Sequence, residues 1–195
     1  MRRLGALIAG GASRRFGSDK ALATIGGVSL IEHARGALEA QVDELVLCGR
    51  PSHRMRWISD CPAPGLGPLG GLNAALADAR ARGYEAVVTV PVDVFPLPLD
   101  LVDRLGSSGP CVFATQHLIG LWPADLGPRL DLHILSGCRS LRSWIGATNA
   151  RIVDDARLGL SNINTRADLA AMLALSGLSK SASSNGLPSL DGASV

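Results

Sequence analysis

"LGALIAGGASRRFGSDKAL", Leu4–Leu22, changes character twice in a short span. Leu4–Ala9 is an apolar run that stops at Gly10-Gly11. A short apolar run closed by glycine reads as a buried strand. The polar segment that follows carries Arg14, Arg15, Asp19 and Lys20, so three of the chain's 19 Lys and Arg fall on one loop. A buried strand that runs straight into a charged glycine loop is how an α/β sheet presents its carboxyl edge.

The pattern outward from this stretch supports that reading. Leu30, Ile31, Ala34, Ala37 and Leu38 recur at helical spacing and predict a helix over Ser29–Ala40. Asp43–Gly49 holds "ELVLCG", a second buried strand, and Met55–Ser59 is a weaker one. "GPLGGLNAALADARARG" has Pro68 near its start, an apolar face through Leu72, Ala75, Leu76 and Ala79, and a stop at Gly83. "EAVVTVPVD", Glu85–Asp93, is the clearest buried strand, with Pro91 and Asp93 at its end. Further on, Cys111–Thr115 and Leu118–Trp122 read as strands, and Asp125–Leu135, Arg139–Ile145 and Arg166–Leu175 as helices. Strands alternating with helices predict a three-layer α/β/α sandwich on a mostly parallel, Rossmann-like sheet. Ligands then lie beyond the carboxyl ends of the strands, where the Gly10-Gly11 loop and Asp93 both fall. The expected division is a domain over 1–175 and a Ser/Gly-rich, flexible tail over 176–195.

Composition narrows the function classes. Hydrophobic residues make up 47% and charged residues 18%, with a net charge of +2. No basic block or aromatic-basic array is present, so nucleic acid is not an expected partner, and anionic small molecules fit better. Cys48, Cys61, Cys111 and Cys138 show neither C-x-x-C nor zinc-finger spacing, and read as reduced thiols. His33, His53, His117 and His133 are not spaced as a metal site. The apolar run after Arg2-Arg3 is broken too soon for a signal peptide, and no stretch reaches membrane-spanning length, so the expected location is cytoplasmic, with no membrane partner.

The loop itself fits neither the G-x-G-x-x-G fingerprint nor the P-loop spacing, since Lys20 comes three residues after Gly17. Its chemistry still suits phosphate. Glycine lets backbone N–H groups approach a ligand, arginine offers a planar fork, and lysine a point charge. A plain solvated basic loop is the alternative on residue types alone.

The stretch Ile8-Ala9-Gly10-Gly11, Arg15-Phe16-Gly17, Asp19-Lys20 resembles the signature of the molybdenum cofactor guanylyltransferases, the MobA-like branch of the nucleotidyltransferases. "PGLGPLGGL" (Pro64–Leu72), "VPVDVFPLP" (Val90–Pro98), "GLWP" (Gly120–Pro123) and "NINTRADL" (Asn162–Leu169) resemble further family elements in order. Phe16 stands where the family has Met, Arg166 where it has Pro, and Ser107–His117 is short for the family. The resemblance implies a nucleotidyltransferase-type fold and transfer of GMP from GTP to the terminal phosphate of molybdopterin, with release of pyrophosphate. Cytidylyl transfer to the same pterin is the sibling activity, and Ala9-Gly10-Gly11 favours guanine. Other readings are a sugar-phosphate nucleotidyltransferase or a non-catalytic nucleotide-binding partner of molybdoenzymes.

The same resemblance assigns roles. Arg15 and Lys20 would contact the triphosphate, and Asp93 would hold Mg²⁺. Ile8, Ala9, Gly10, Gly11, Asp60, Gly67, Pro68, Leu69 and Gly70 would line the nucleotide, with Lys20 and Asp93. Asn162 and Asn164 would face the pterin. Implied partners are molybdopterin, a protein that delivers it, and recipient molybdoenzymes. For Asp93 the plain alternative is a helix cap, and for the two asparagines an Asx-turn or cap ahead of Thr165. Trp122 reads as packing, and Cys48 has no assigned role.

Overall fold

The structure is a computed structural model, which describes residues 1–10 and 20–175. The expectations placed on Gly11, Arg14, Arg15, Phe16, Gly17 and Asp19, and on the tail from 176 onward, lie outside the described residues. Along the chain come β1 (Arg3–Ile8), β2 (Thr24–Ile25), β3 (Val28–Ser29), α1 (Leu30–Leu38), β4 (Glu44–Cys48), β5 (Trp57–Ile58) and α2 (Pro68–Ala81). The second half adds β6 (Ala86–Pro91), β7 (Val94–Phe95), α3 (Leu101–Leu105), β8 (Cys111–Phe113), β9 (Gly120–Pro123) and α4 (Gly127–Leu135). It ends with α5 (Leu141–Thr148), β10 (Arg151–Val153), β11 (Ser161–Asn162) and α6 (Arg166–Leu175).

Seven of the described strands form one sheet in the order β10-β8-β9-β6-β1-β4-β5. Every neighbouring pair is parallel except those of β9, which runs antiparallel to both β6 and β8. The central strand β6 is buried at all six positions, as a strand covered on both faces must be. Alternation along β1 and β4 sends Leu4, Ala6, Ile8, Val46 and Cys48 to one face, with α2 and α4 packed over them. Leu7 and Leu47 point to the other face, under α1 and α3. The result is the expected mostly parallel three-layer sandwich.

Several boundaries move for local reasons. Ser29 is the N-cap of α1, its Oγ accepting from the Glu32 amide at 3.4 Å. Ser140 caps α5 in the same way, accepting from Ser143 at 3.0 Å, so that helix runs over Leu141–Thr148 and not Arg139–Ile145. The expected helix over Asp125–Leu135 divides into a 3₁₀ turn, Ala124–Leu126, and α4. The strand expected over Leu118–Trp122 is β9, shifted to Gly120–Pro123, and Trp122 is fully buried as packing.

Two small ladders lie off the main sheet. β2 and β3 form a hairpin, and β7 pairs antiparallel with β11, with Asn162 opposite Val94. Ile25, Leu30, Ile163 and Met172 make a separate apolar cluster that joins the hairpin, α1 and α6. That cluster brings the last described part of the chain back beside the end of β6.

Candidate functional site

Register places the ends of three parallel strands side by side: Ile8 lies opposite Cys48 on one flank and Pro91 on the other. The segments leaving these ends carry the candidate residues. Lys20 begins a 3₁₀ turn, and its ammonium donates to Asp93 Oδ2 at 2.5 Å and to Asn164 Oδ1 at 2.9 Å. The Lys20 and Asp93 side chains retain only 17% and 24% of their exposure. Three residues far apart in sequence thus meet around one cationic atom.

Each is held by its own backbone setting. Asp93 sits between β6 and β7, and its carbonyl accepts from the Ile163 amide at 2.8 Å. The next helix along the chain, α3, begins at Leu101 with Asp100 as its N-cap, so Asp93 does not cap it. Asn164 precedes a reciprocal cap: Thr165 Oγ1 accepts from the Asp168 amide at 3.1 Å, and Asp168 Oδ2 accepts from the Thr165 amide at 2.8 Å. Asp168 also accepts from the Asn164 amide at 2.8 Å. These backbone donors, Asn164 first, hold the Asp168 carboxyl below its ordinary range. Thr165 and Asp168 therefore do the capping, and the Asn164 side chain is left to Lys20. Asn162 lies exposed on β11.

Asp60 marks a second corner, beyond β5. It is half-buried, and burial pushes its carboxyl above the usual range. Glycines crowd it. A Cβ on Gly49 (φ +85°) would lie 2.8 Å from Gly10 Cα and 3.0 Å from Asp60 Oδ1, and one on Gly70 would lie 3.0 Å from Asp60 Cβ. These positions exclude side chains because a carboxylate and two backbones meet there. Gly67 (φ +62°) opens α2 and Pro68 occupies its first turn.

Two of the expected nucleotide-lining residues offer less than their names suggest. The side chains of Ile8 and Leu69 are buried in the core on the α2 face, so only their backbones border the strand ends. The Ala9 amide is already used by the Cys48 carbonyl at 3.0 Å, leaving Gly10 as the last described residue before the loop. Cys48 is buried in the core, with its thiol pushed up by burial. His33 bonds the Ile25 carbonyl at 2.9 Å and His133 the Ser143 hydroxyl at 2.8 Å. Among the described residues no group of three or more His, Cys, Asp or Glu side chains could hold a metal.

Sequence reasoning missed Asn73. It is 1% exposed on α2, and its Nδ2 donates to the Cys61 carbonyl at 3.3 Å and to Asp131 Oδ1 at 2.6 Å. Cys61 in turn donates to the Gly70 carbonyl at 3.1 Å. Asn73 thereby fixes the backbone next to Asp60. The available signal was an asparagine within the otherwise apolar "GLNAALA". An open cavity of about 440 Å³ lies elsewhere, on the α1 face, lined by Leu22, Ile31, Leu47, Arg50, His53 and Met55 among others, and it includes neither Asp60 nor Asp93. No helix among the described residues is long and apolar enough to cross a membrane.

Comparison with known proteins gives these features a context. Residues 5–152 match the model of the MobA-like NTP transferase domain. A molybdenum cofactor guanylyltransferase of Acidiphilium cryptum is 36% identical over 181 residues, covering 85% of this chain and 91% of that protein. The solved molybdopterin-guanine dinucleotide biosynthesis protein A of Archaeoglobus fulgidus superposes with a TM-score of 0.72 at 20% identity, over 90% of this chain and 99% of that one. A Mycobacterium tuberculosis protein solved in complex with manganese shares the fold with a TM-score of 0.58 at 15% identity, over 89% of this chain and 99% of that one. With the family model spanning most of the chain, this protein belongs to the MobA-like NTP transferase family and is a nucleotidyltransferase.

Proposed function

We propose that the protein transfers GMP from GTP to the terminal phosphate of molybdopterin, forming the guanine dinucleotide cofactor and releasing pyrophosphate. The observation that carries this reading is the meeting of Lys20, Asp93 and Asn164 at the carboxyl edge of the sheet, in a chain of this family. A phosphate monoester is largely ionised at neutral pH, so the attacking group needs no general base. What the site must supply is position and positive charge around the triphosphate.

The geometry supports the following roles. Lys20 offers its remaining N–H to a phosphate oxygen and offsets charge growing on pyrophosphate. Gly10 and the start of α2 at Gly67, Pro68, Leu69 and Gly70 supply backbone surface without obstruction, with Ile8 and Ala9 beneath. Asp60 accepts from hydroxyl or N–H groups of the nucleoside, and Asn162 and Asn164 border the acceptor. Gly11 and Arg15, outside the described residues, keep the nucleotide and triphosphate roles that the family resemblance implies. Asp93 is a hard oxygen donor that already faces a cation, which fits Mg²⁺ held by one carboxylate and substrate phosphates. When bound, that ion supplies Lewis-acid charge neutralisation at the phosphates. A molybdopterin-delivering protein and molybdoenzymes that receive the product are the expected partners.

The test is incubation of the purified protein with Mg²⁺, molybdopterin and GTP, CTP or ATP in turn, scoring dinucleotide and pyrophosphate. Product is expected with GTP. Equal product from CTP would remove the guanine assignment, and no product from any triphosphate would remove the transfer itself.

A further inference from the structure

We infer that Asn164 is a positioning residue for Lys20 on the triphosphate side of the reaction, and not only a contact for the acceptor. This rests on the nucleotidyltransferase reading proposed above.

An ammonium group carries three N–H donors and no acceptor. One is taken by Asp93 Oδ2 at 2.5 Å and a second by Asn164 Oδ1 at 2.9 Å. Because lysine can only donate, the amide atom facing it is the oxygen, whichever way the side chain is otherwise assigned. With two donors fixed, the direction of the third is fixed as well. A lysine on a long flexible stem does not have that property by itself.

The two anchors come from one tied unit. The Asp93 carbonyl accepts from the Ile163 amide, β7 pairs with β11, and Ile163 is fully buried against Ile25 and Leu30. The Asn164 amide is held by Asp168. Asp93 is the proposed cation ligand, and a cation on Oδ2 competes with the ammonium for that oxygen. The Asn164 oxygen is then the neutral tether that keeps Lys20 in place. Its Nδ2 group takes no part in this contact and remains for the acceptor side.

The test measures equilibrium binding of GTP with Mn²⁺, without pterin, for the wild type, Asn164→Ala, Lys20→Ala, the double variant, and Ser161→Ala, an exposed position on the same segment, as a control. Thermal melting of each sample checks the fold. Asn164→Ala is expected to weaken GTP binding by roughly 5- to 20-fold with an unchanged melting point. Ser161→Ala is expected to bind GTP as the wild type does. The double variant is expected to bind no more weakly than Lys20→Ala, within about twofold, because the tether has nothing left to hold. Wild-type affinity in Asn164→Ala, or full additivity in the double variant, overturns the inference while leaving GTP transfer standing. A wild type that binds no GTP overturns both.

Discussion

Lys20 and Asp93 form a tight, mostly buried ion pair, and each side of it is separable by substitution. Asp93→Asn keeps the size and removes the charge. We expect its fold to persist, by melting point, while dinucleotide formation falls by orders of magnitude, with little recovery at higher Mg²⁺. Normal transfer by this variant would refute the metal-binding role. Lys20→Ala should lose a charge-assisted phosphate contact of about 1.5–3 kcal/mol, or about tenfold to a hundredfold in rate. Asp60 makes a different prediction. Its raised pKa means that the folded chain holds this proton more tightly than the unfolded chain does. Its contribution to stability therefore declines as pH rises from the ordinary aspartate range through the raised value. Asp60→Asn escapes that decline, so its advantage in urea midpoint over the wild type should widen between pH 4 and pH 7. A constant difference across that range would show that burial does not penalise this carboxylate.

At the scale of elements, the loop after β4 is tightly constrained. Gly49 combines a left-handed φ of +85° with a backbone neighbour that a Cβ would meet at 2.8 Å. Gly49→Ala should cost about 2 kcal/mol or more in chemical denaturation, since strain and contact act together. Near-wild-type stability would mean that the Gly10 backbone gives way freely. Much of this level was legible in the sequence. β1, β4, β6 and α2 are long or strongly apolar, and α6 starts at the expected Arg166. Other elements left no readable trace. α3 has five residues, too few for a helical period to emerge. β10 is exposed at Arg151 and Ile152 and shows no apolar run. The ladders β2–β3 and β7–β11 are two residues long and exist through pairing, which is a tertiary fact. In the site, Lys20 and Asp93 were readable because charge in a glycine loop or at a strand end is conspicuous. The bond from Lys20 to Asn164 was not, because only the fold brings them together.

Across the whole molecule, two core clusters cover the two faces of the sheet, and a third seats α6. The antiparallel β9 could not be told from a parallel strand by its apolar pattern, since both its faces are buried, Trp122 in one core cluster and Leu121 in the other. Among the described residues, Leu173 is the last member of the three clusters. Removing 176–195, whose composition offers little to bury, should leave melting point and dinucleotide formation unchanged. A loss of either would show that this segment takes part in the body or in a partner contact.

Lys20 and Asn164 lie 144 residues apart, and Lys20 and Asp93 lie 73 apart. During synthesis, the first half of the chain emerges with its glycine loop and charges but without the segment that completes the cluster. Contacts of such long sequence separation form late, because the intervening chain must be ordered before they reward closure. A ribosome-tethered fragment ending before Asn162 should therefore fail to retain GTP, although it carries Lys20, Asp60 and Asp93. Retention of GTP by such a fragment would show that the site forms without the segment that carries Asn164.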